Sequence, residues 1–337
     1  MSTTKSITLA PALGLALLCA AIAPMIAGDA ALLDTAIVIA IYSLIALSVG
    51  ITYGMTGLLS VAQASLAAVG AYVTAILTAS FDWSPWQSAP LAVLVPALFA
   101  YPFARVVTRL SPLALAIATL MFGYAFDIAV REGGDLTGGY IGLSGLPQVP
   151  GFETPMAYYA LAWALVVVTV AAYAVIGRSH IGAALRTIRN DALRASADGI
   201  DVPHLRSVSM AIGAAFAGAA GWLYAHHLTY LGPESLSPAL SLSALLMAVV
   251  GGVRSVLGPI LGAVLLTLVY KFIPGQEVVG IFYGSALVFC LLVAPEGLMG
   301  LAARWWERGR AARKRLQQAA TLADEVAQPV VAGGERP

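Results

Sequence analysis

The chain has 337 residues, of which 60% are hydrophobic and only 10% are charged. An average soluble protein carries charge on roughly a quarter of its residues, so an ordinary soluble enzyme is excluded. The net charge of +1 lacks the basic excess that nucleic-acid binding needs, so we expect no nucleic-acid partner. The long, continuous apolar runs predict an all-α integral membrane protein in contact with the lipid bilayer, because helices satisfy their own backbone hydrogen bonds there.

Ten apolar runs follow one another, most of them near the roughly 20 residues that cross a bilayer. They are 7–27, 32–50, 55–79, 89–104, 112–130, 157–176, 207–230, 240–253, 256–273 and 280–297. The short eighth run is either a half-span or a tilted helix interrupted at Gly251 and Gly252. The first run is either a retained span or a cleaved signal peptide, since Ala21-Ile22-Ala23 resembles a cleavage site.

Charge sorting gives the predicted orientation. With the N terminus inside and ten alternating spans, all but Arg131 and Lys271 of the 18 lysines and arginines lie inside, as the positive-inside rule requires. We therefore expect about ten transmembrane helices with both termini cytoplasmic. Residues 1–302 form the membrane domain, and residues 303–337 form a cytoplasmic tail that is basic and then disordered.

Groups for catalysis or cofactor binding are missing from the sequence. No glycine-rich phosphate loop followed by lysine occurs, and no catalytic set or metal-ligand pattern is visible. We expect no catalytic, cofactor-binding or metal residues, so any ATP must be bound by another chain. The spans also lack ionisable groups at mid-depth, which argues against proton coupling.

The longest predicted inside loop, 177–206, carries an apolar stripe. Leu185, Ile188, Ala192, Ala195 and Gly199 are spaced by three and four residues, which predicts one amphipathic helix that ends at the glycine. The stripe suits either a groove on a protein partner or the lipid headgroups. Its small alanines favour the protein partner, because lipid-binding helices usually present bulky residues.

The third run contains a seam of small residues, typical of close helix packing in lipid. The seam consists of Ser60, Ala64, Ala67, Ala71 and Ala75. Gln63 places an amide in the same run, either as a bond between helices or as a pathway lining. The candidate pathway residues are Gln63, Ser65, Tyr72 and Asp127, of which Asp127 is alternatively an interfacial carboxylate facing water.

The longest predicted outside loop, 131–156, is rich in glycine and proline and therefore in turns. It is interpreted as an ordered external cap, a docking surface or a plain connector. The candidate docking residues are Thr137, Gly138, Gly139, Gly142, Leu143, Ser144 and Gly145. Further along the chain, glycines interrupt the eighth and ninth runs, as in helices that line a transport route or pack closely.

Four segments, in order, resemble the permease subunits of ATP-binding-cassette importers for branched-chain amino acids, of the LivM-like type. The segments are GLLSVAQASLAAVGAY, TGGYIGLSGLP, GRSHIGAALRTIRNDALRASADGIDV and MAVVGGVRSVLGPILGA. The resemblance implies a multi-pass permease of the bacterial inner membrane that transports branched-chain or related amino acids. It also implies two ATPase subunits that bind the ATP, a second homologous permease and a periplasmic substrate-binding protein.

In this resemblance the loop 177–206 couples the permease to the ATPase. The residues that match the family pattern are Gly182, Leu185, Arg186, Ile188, Arg189, Ala195, Gly199 and Ile200. The chain departs from the pattern at Asn190, where many relatives have an acidic residue, and at Leu193 and Arg194. The alternative function is a stand-alone secondary carrier or channel for a small solute, which would need no ATPase.

Overall fold

The computed structural model describes residues 2–272, 297–301 and 305, with side chains from residue 11 onward. Within those ranges the chain is almost entirely helical. The α-helices are α1 (Ser2–Ile26), α2 (Ala30–Val49), α3 (Gln63–Ser80), α4 (Pro85–Val107), α5 (Pro112–Arg131), α6 (Pro155–Arg178), α7 (His180–Asn190), α8 (Ala192–Ala197), α9 (Val202–Leu228), α10 (Pro238–Gly251) and α11 (Gly258–Phe272). Two short strands, β1 (Leu143–Ser144) and β2 (Tyr230–Leu231), pair antiparallel.

The described residues contain six helices that are long and apolar enough to cross a membrane. They cover 30–54, 63–80, 85–107, 112–131, 155–178 and 202–228, and shorter apolar helices cover 11–26, 238–251 and 258–271. This confirms an all-helical, multi-pass membrane protein. The tenth run and the tail lie almost wholly outside the described residues, so the number of ten spans stays a prediction.

The centre of the bundle is the contact of α3 with α9, and α4 packs along α9 beside it. Ala64, Ala67, Ala71 and Ala75 of the small-residue seam are completely buried. A Cβ added to Gly70 would lie 2.6 Å from the Cα of Gly218, so no larger residue fits at this crossing. The seam therefore packs helices together, as small residues do in lipid.

The prediction of one continuous apolar span over 55–79 is wrong for the first residues of that range. A π-helix, Gly50–Gly54, extends α2, and α3 begins only at Gln63, so residues 57–62 and with them Ser60 are not helical. Non-helical backbone is tolerated at membrane depth only where the protein satisfies it. Here the hydroxyl of Thr119 accepts from the amide of Val61 at 3.0 Å.

The eighth run forms the short helix α10, which ends at Gly252 with φ of +113°. Its 14 residues span about 21 Å at 1.5 Å per residue, less than the roughly 30 Å bilayer core. Both interpretations of this run, a half-span or an interrupted helix, agree with that length.

The loops sort to the two ends of the bundle as charge sorting predicts. At one end Arg105 lies 3.7 Å from Asp201, which brings the fourth and sixth inter-run loops together. At the other end His227 lies 2.9 Å from Asp34. Each of these two contacts joins segments that charge sorting places on the same side. The first end is here called the inner end and the second the outer end, and the cytoplasmic position of the inner end stays a prediction.

Candidate functional site

Three of the four candidate pathway residues meet at one small cavity. Ser65 and Tyr72 lie seven residues apart on α3, which is about two turns, and so point to the same side. Asp127 faces them from α5. On the same helix, a Cβ added to Gly123 would lie 2.6 Å from the Ser65 hydroxyl oxygen, so α5 approaches α3 closely at this glycine. These residues line a cavity of about 10 Å³. Its apolar wall includes Ala68, Phe126, Val130 and Leu236.

The cavity collects polar atoms that have no partner within the described residues. They are Ser65 Oγ, the Tyr72 hydroxyl oxygen and Asp127 Oδ1. The other carboxylate oxygen of Asp127 accepts from Nε of Arg131 at 2.9 Å, and the two side chains are 18% and 26% exposed. Buried polar groups without partners are uncommon and costly, so the meeting of three such groups at one point is unusual.

Gln63, the fourth candidate, lies elsewhere and is completely buried. Its carbonyl oxygen accepts from the Ser48 hydroxyl at 3.1 Å, and its amide nitrogen donates to Thr52 at 3.3 Å. These bonds join the start of α3 to α2 and its π-helical extension. These bonds agree with the interpretation of Gln63 as a bond between helices, and Gln63 is absent from the described lining of the cavity.

The inner loop forms two helices, α7 and α8, where the sequence predicted one. Asp191 between them has an extended backbone with φ of −157° and ψ of 102°. Its carboxylate accepts from the amides of Leu193 at 2.9 Å and Arg194 at 3.0 Å. The single-helix prediction is wrong because aspartate at this point caps a new helix more favourably than it continues the old one. Gly199, with φ of +82°, follows α8 as predicted.

The apolar stripe of this loop faces its own chain. Leu185, Ile188 and Ala195 are at most 1% exposed, and Ile188 and Ala195 pack with Val202 of α9. The surface left for a partner is therefore the opposite side, where Leu193 is 84% exposed. Spacing alone could not reveal Leu193, because a repeated apolar spacing marks the face that is buried, whichever chain buries it.

The remaining candidate residues of the inner loop contact the ends of neighbouring helices or the buried stripe. The Arg186 guanidinium donates to the carbonyl of Gly177, and that of Arg189 donates to the carbonyl of Gly54. Gly182 is buried against the end of α6. A Cβ there would meet the backbone of Gly177, so no larger residue fits. Ile200 is partly buried beside the cluster of Ile188, Ala195 and Val202. All of these contacts tie the loop to the helix ends.

The outer loop is an ordered cap and no plain connector. Its strand β1 pairs with β2, and the amide of Leu146 donates to the carbonyl of Thr229 at 3.2 Å. His226 of α9 is almost completely buried and its Nδ1 lies 2.8 Å from the carbonyl oxygen of Pro147. The indole of Trp86 donates to the carbonyl of Pro150 at 3.2 Å. The loop is thus fastened to α4 and α9.

Most of the candidate docking residues build this cap. The Thr137 hydroxyl donates to the carbonyl of Val130 at 2.6 Å. Gly138, Gly139, Gly142 and Gly145 have positive φ, and Leu143 and Ser144 form β1. The large exposed apolar side chains of the loop are not among these candidate docking residues. They are Leu136, Tyr140 and Ile141, at 55%, 69% and 83% exposure.

The described residues thus form a multi-pass helical bundle with non-helical backbone before α3 and a small polar cavity between α3 and α5. The family model described as "Branched-chain amino acid transport system / permease component" matches residues 31–294. The chain belongs to this family of permease components.

The relatives agree with this family. The chain is 28% identical to the LivM high-affinity branched-chain amino acid transport system permease protein of Salmonella typhimurium, covering 79% of this chain and 69% of that protein. It is 27% identical to LivM of Escherichia coli, with the same coverage. It is 25% identical to the permease protein BraD of Pseudomonas aeruginosa, over 77% and 91% of the two chains. No solved structure matches the chain.

Family membership confirms the resemblance that the four sequence segments indicated. The chain is a permease subunit of an ATP-binding-cassette importer and not an enzyme. Nothing in these comparisons favours the stand-alone carrier or channel.

Proposed function

We propose that this permease works in the bacterial inner membrane as one part of a heteromeric importer for branched-chain amino acids. A second, homologous permease would stand beside it, two ATPase subunits would bind ATP at the inner end, and a periplasmic protein would deliver the substrate. The chain would cross the membrane ten times, with both termini cytoplasmic and no cofactor of its own. Family membership and the sorting of basic residues support this arrangement.

The two loops supply the proposed docking surfaces. The ATPase would contact the exposed side of α7 and α8 around Leu193, while the buried stripe would transmit its movement to α9. The binding protein would contact the outer cap at Tyr140 and Ile141. Both surfaces present large exposed apolar side chains on a fixed backbone, which is a property of protein interfaces.

The cavity at Asp127 is the proposed place where the substrate's charged groups are recognised. An amino acid carries an ammonium and a carboxylate, and Asp127 and Arg131 are a matching pair of opposite charges 2.9 Å apart. The ammonium would bind the free oxygen of Asp127, and the carboxylate would bind Arg131 and the two hydroxyls. Such charge-assisted bonds are about twice as strong as neutral ones. The convergence of three unpartnered polar atoms carries this proposal.

The apolar wall of the same cavity suits an aliphatic side chain. Phe126, Val130 and Leu236 surround the polar atoms and would bury a leucine or valine side chain. The cavity of about 10 Å³ is too small for an amino acid, so the described conformation is closed at this point. Rocking of the helices in the transport cycle would open it, as alternating access requires.

The test is leucine uptake by the reconstituted importer that carries Asp127→Asn. A hydrogen bond to a charged group contributes about 1.5–3 kcal/mol, so uptake should fall about tenfold to a hundredfold. Tyr72→Phe, which removes only the hydroxyl, should have a smaller effect in the same direction. Assembly with the ATPase and the melting temperature should stay near those of the unaltered protein.

The matched control is Asp135→Asn, an exposed carboxylate in the outer loop, which should leave uptake unchanged. Normal leucine uptake by Asp127→Asn would show that the substrate's charged groups are not recognised at this cavity. The family membership would be unaffected by that result. Equal uptake of leucine and of an uncharged amide would point to a cargo without an ammonium group.

A further inference from the structure

A second cavity, of about 440 Å³, lies at the inner end of the bundle. It opens between the inner ends of α1 and α6, the π-helix that extends α2, helix α7 and the connection from α10 to α11. Four arginines line it: Arg178, Arg186, Arg189 and Arg254. No aspartate or glutamate is among the described residues of its lining. The described lining of the cavity is therefore positively charged.

The charges of Arg186, Arg189 and Arg254 are not balanced by carboxylates within the described part of the chain. Arg186 and Arg189 donate to the backbone carbonyls of Gly177 and Gly54, and these carbonyls supply no negative charge. No carboxylate there forms an ion pair with Arg186, Arg189 or Arg254. Burial, and then the nearby charge of Arg254, lower the pKa of Arg189. Guanidinium groups stay protonated and hold five N–H donors each, so this cavity is built for an anion.

An apolar cleft of about 660 Å³ adjoins the basic cavity. The two share Pro11, and Val256 of the basic cavity precedes Leu257 of the cleft. The cleft lies between α1, α2, α6 and α11, and follows α1 as far as Ile22. Eleven helical residues correspond to about 16 Å. A long apolar cleft that adjoins a basic cavity would fit an acyl chain whose anionic headgroup lies among the arginines.

We propose that an anionic phospholipid binds here, with its phosphate at Arg186, Arg189 and Arg254 and one acyl chain in the cleft along α1. Basic pockets between helices at the cytoplasmic side of membrane proteins attract anionic headgroups. The lipid would join α7 of the inner loop to the membrane and to the helix end at Gly54. This inference rests on the two cavities alone and not on the proposed substrate site.

The test uses the assembled importer in nanodiscs of phosphatidylglycerol or of phosphatidylcholine. Phosphatidylglycerol should raise the melting temperature of the unaltered protein and should remain bound through purification, as measured by lipid mass spectrometry. Each arginine near an anionic surface contributes about a fivefold change in affinity. Arg254→Gln should therefore weaken retention about fivefold, and the triple change with Arg186→Gln and Arg189→Gln should abolish it.

Two matched controls separate the head from the tail. Arg109→Gln with Arg194→Gln removes two exposed arginines outside the cavity and should leave retention unchanged. Gly14 lines the cleft, and no atom lies within 4 Å of a Cβ added there. Gly14→Leu should therefore fill the cleft and reduce retention of the lipid. Gly28→Leu, also with nothing within 4 Å but outside the cleft, should not.

Three results would overturn the proposal. The first is unchanged phosphatidylglycerol retention in Arg254→Gln and in the triple variant. The second is equal stabilisation by inorganic phosphate or ATP together with no effect of Gly14→Leu, which would indicate a soluble anion. The third is a requirement for the arginines only when the ATPase subunits are present, which would assign the cavity to acidic side chains of that partner.

Discussion

The inner loop, 177–206, and the outer loop, 131–156, use their apolar residues in opposite ways. The inner loop buries Leu185, Ile188 and Ala195 against its own chain and leaves Leu193 outside. The outer loop uses turns and a short ribbon to fix its backbone, and exposes Tyr140 and other large apolar side chains at its tip. A loop can therefore be held in place by a buried stripe or by turns, and in both loops the proposed partner surface lies within the signature segment but on side chains other than those first selected as candidates.

The largest expected effect is at the buried stripe of the inner loop. Leu185→Asp places an unpaired carboxylate at a site with no exposure, which costs several kcal/mol. We expect the loop to detach from α9, with little folded protein in the membrane. Melting temperature and protease resistance of the loop in inverted vesicles measure this. The same substitution at Leu193 should fold normally, and a stable Leu185→Asp variant would show that the stripe is not held by its own chain.

The next effect is at the exposed leucine itself. Leu193→Asp should insert and melt like the unaltered protein, but the ATPase should bind the permease pair about 30-fold more weakly. This corresponds to the loss of about 2 kcal/mol at a central interface residue. The measurement is ATPase affinity for the permeases in nanodiscs. Leu110→Asp, an exposed leucine in the neighbouring connection, is the control, and equal affinities of both variants would remove Leu193 from the interface.

The smallest effect is expected at the tip of the outer loop. Ile141→Ser removes an 83% exposed side chain and should raise the KM for the binding protein about fivefold, with kcat unchanged, as for about 1 kcal/mol of contact. The neighbouring Gly142→Ala affects the cap itself. Its φ is +81° and its Cβ would lie 2.7 Å from the Cα of Gly232, so it should lower the melting temperature.

These two neighbouring variants separate contact from support. A change in KM without a change in stability for Ile141→Ser, and a loss of stability for Gly142→Ala, would agree with the comparison of the loops. If Ile141→Ser leaves the KM unchanged, the tip does not touch the binding protein, and the cap has only a structural role.

Patterns that depend on neighbours along the chain were predictable from the sequence. Apolar runs, the sorting of basic residues and the seam from Ala64 to Ala75 follow from what lipid and close helix packing require. They predicted the helical membrane class and the apolar stripe at Leu185 and Ile188, although not which surface buries that stripe. Four ordered segments also gave the family, which the comparisons confirm.

Tertiary structure decided what depends on residues far apart in sequence. In the non-helical stretch before Gln63, the amide of Val61 donates to the hydroxyl of Thr119, a partner more than 50 residues later in the sequence. The meeting of Ser65, Tyr72 and Asp127 depends on α5 approaching α3 at a glycine. Packing also decides whether an apolar stripe faces its own chain or a partner. The apolar residues have the same spacing along the helix in both cases, so the sequence cannot distinguish them.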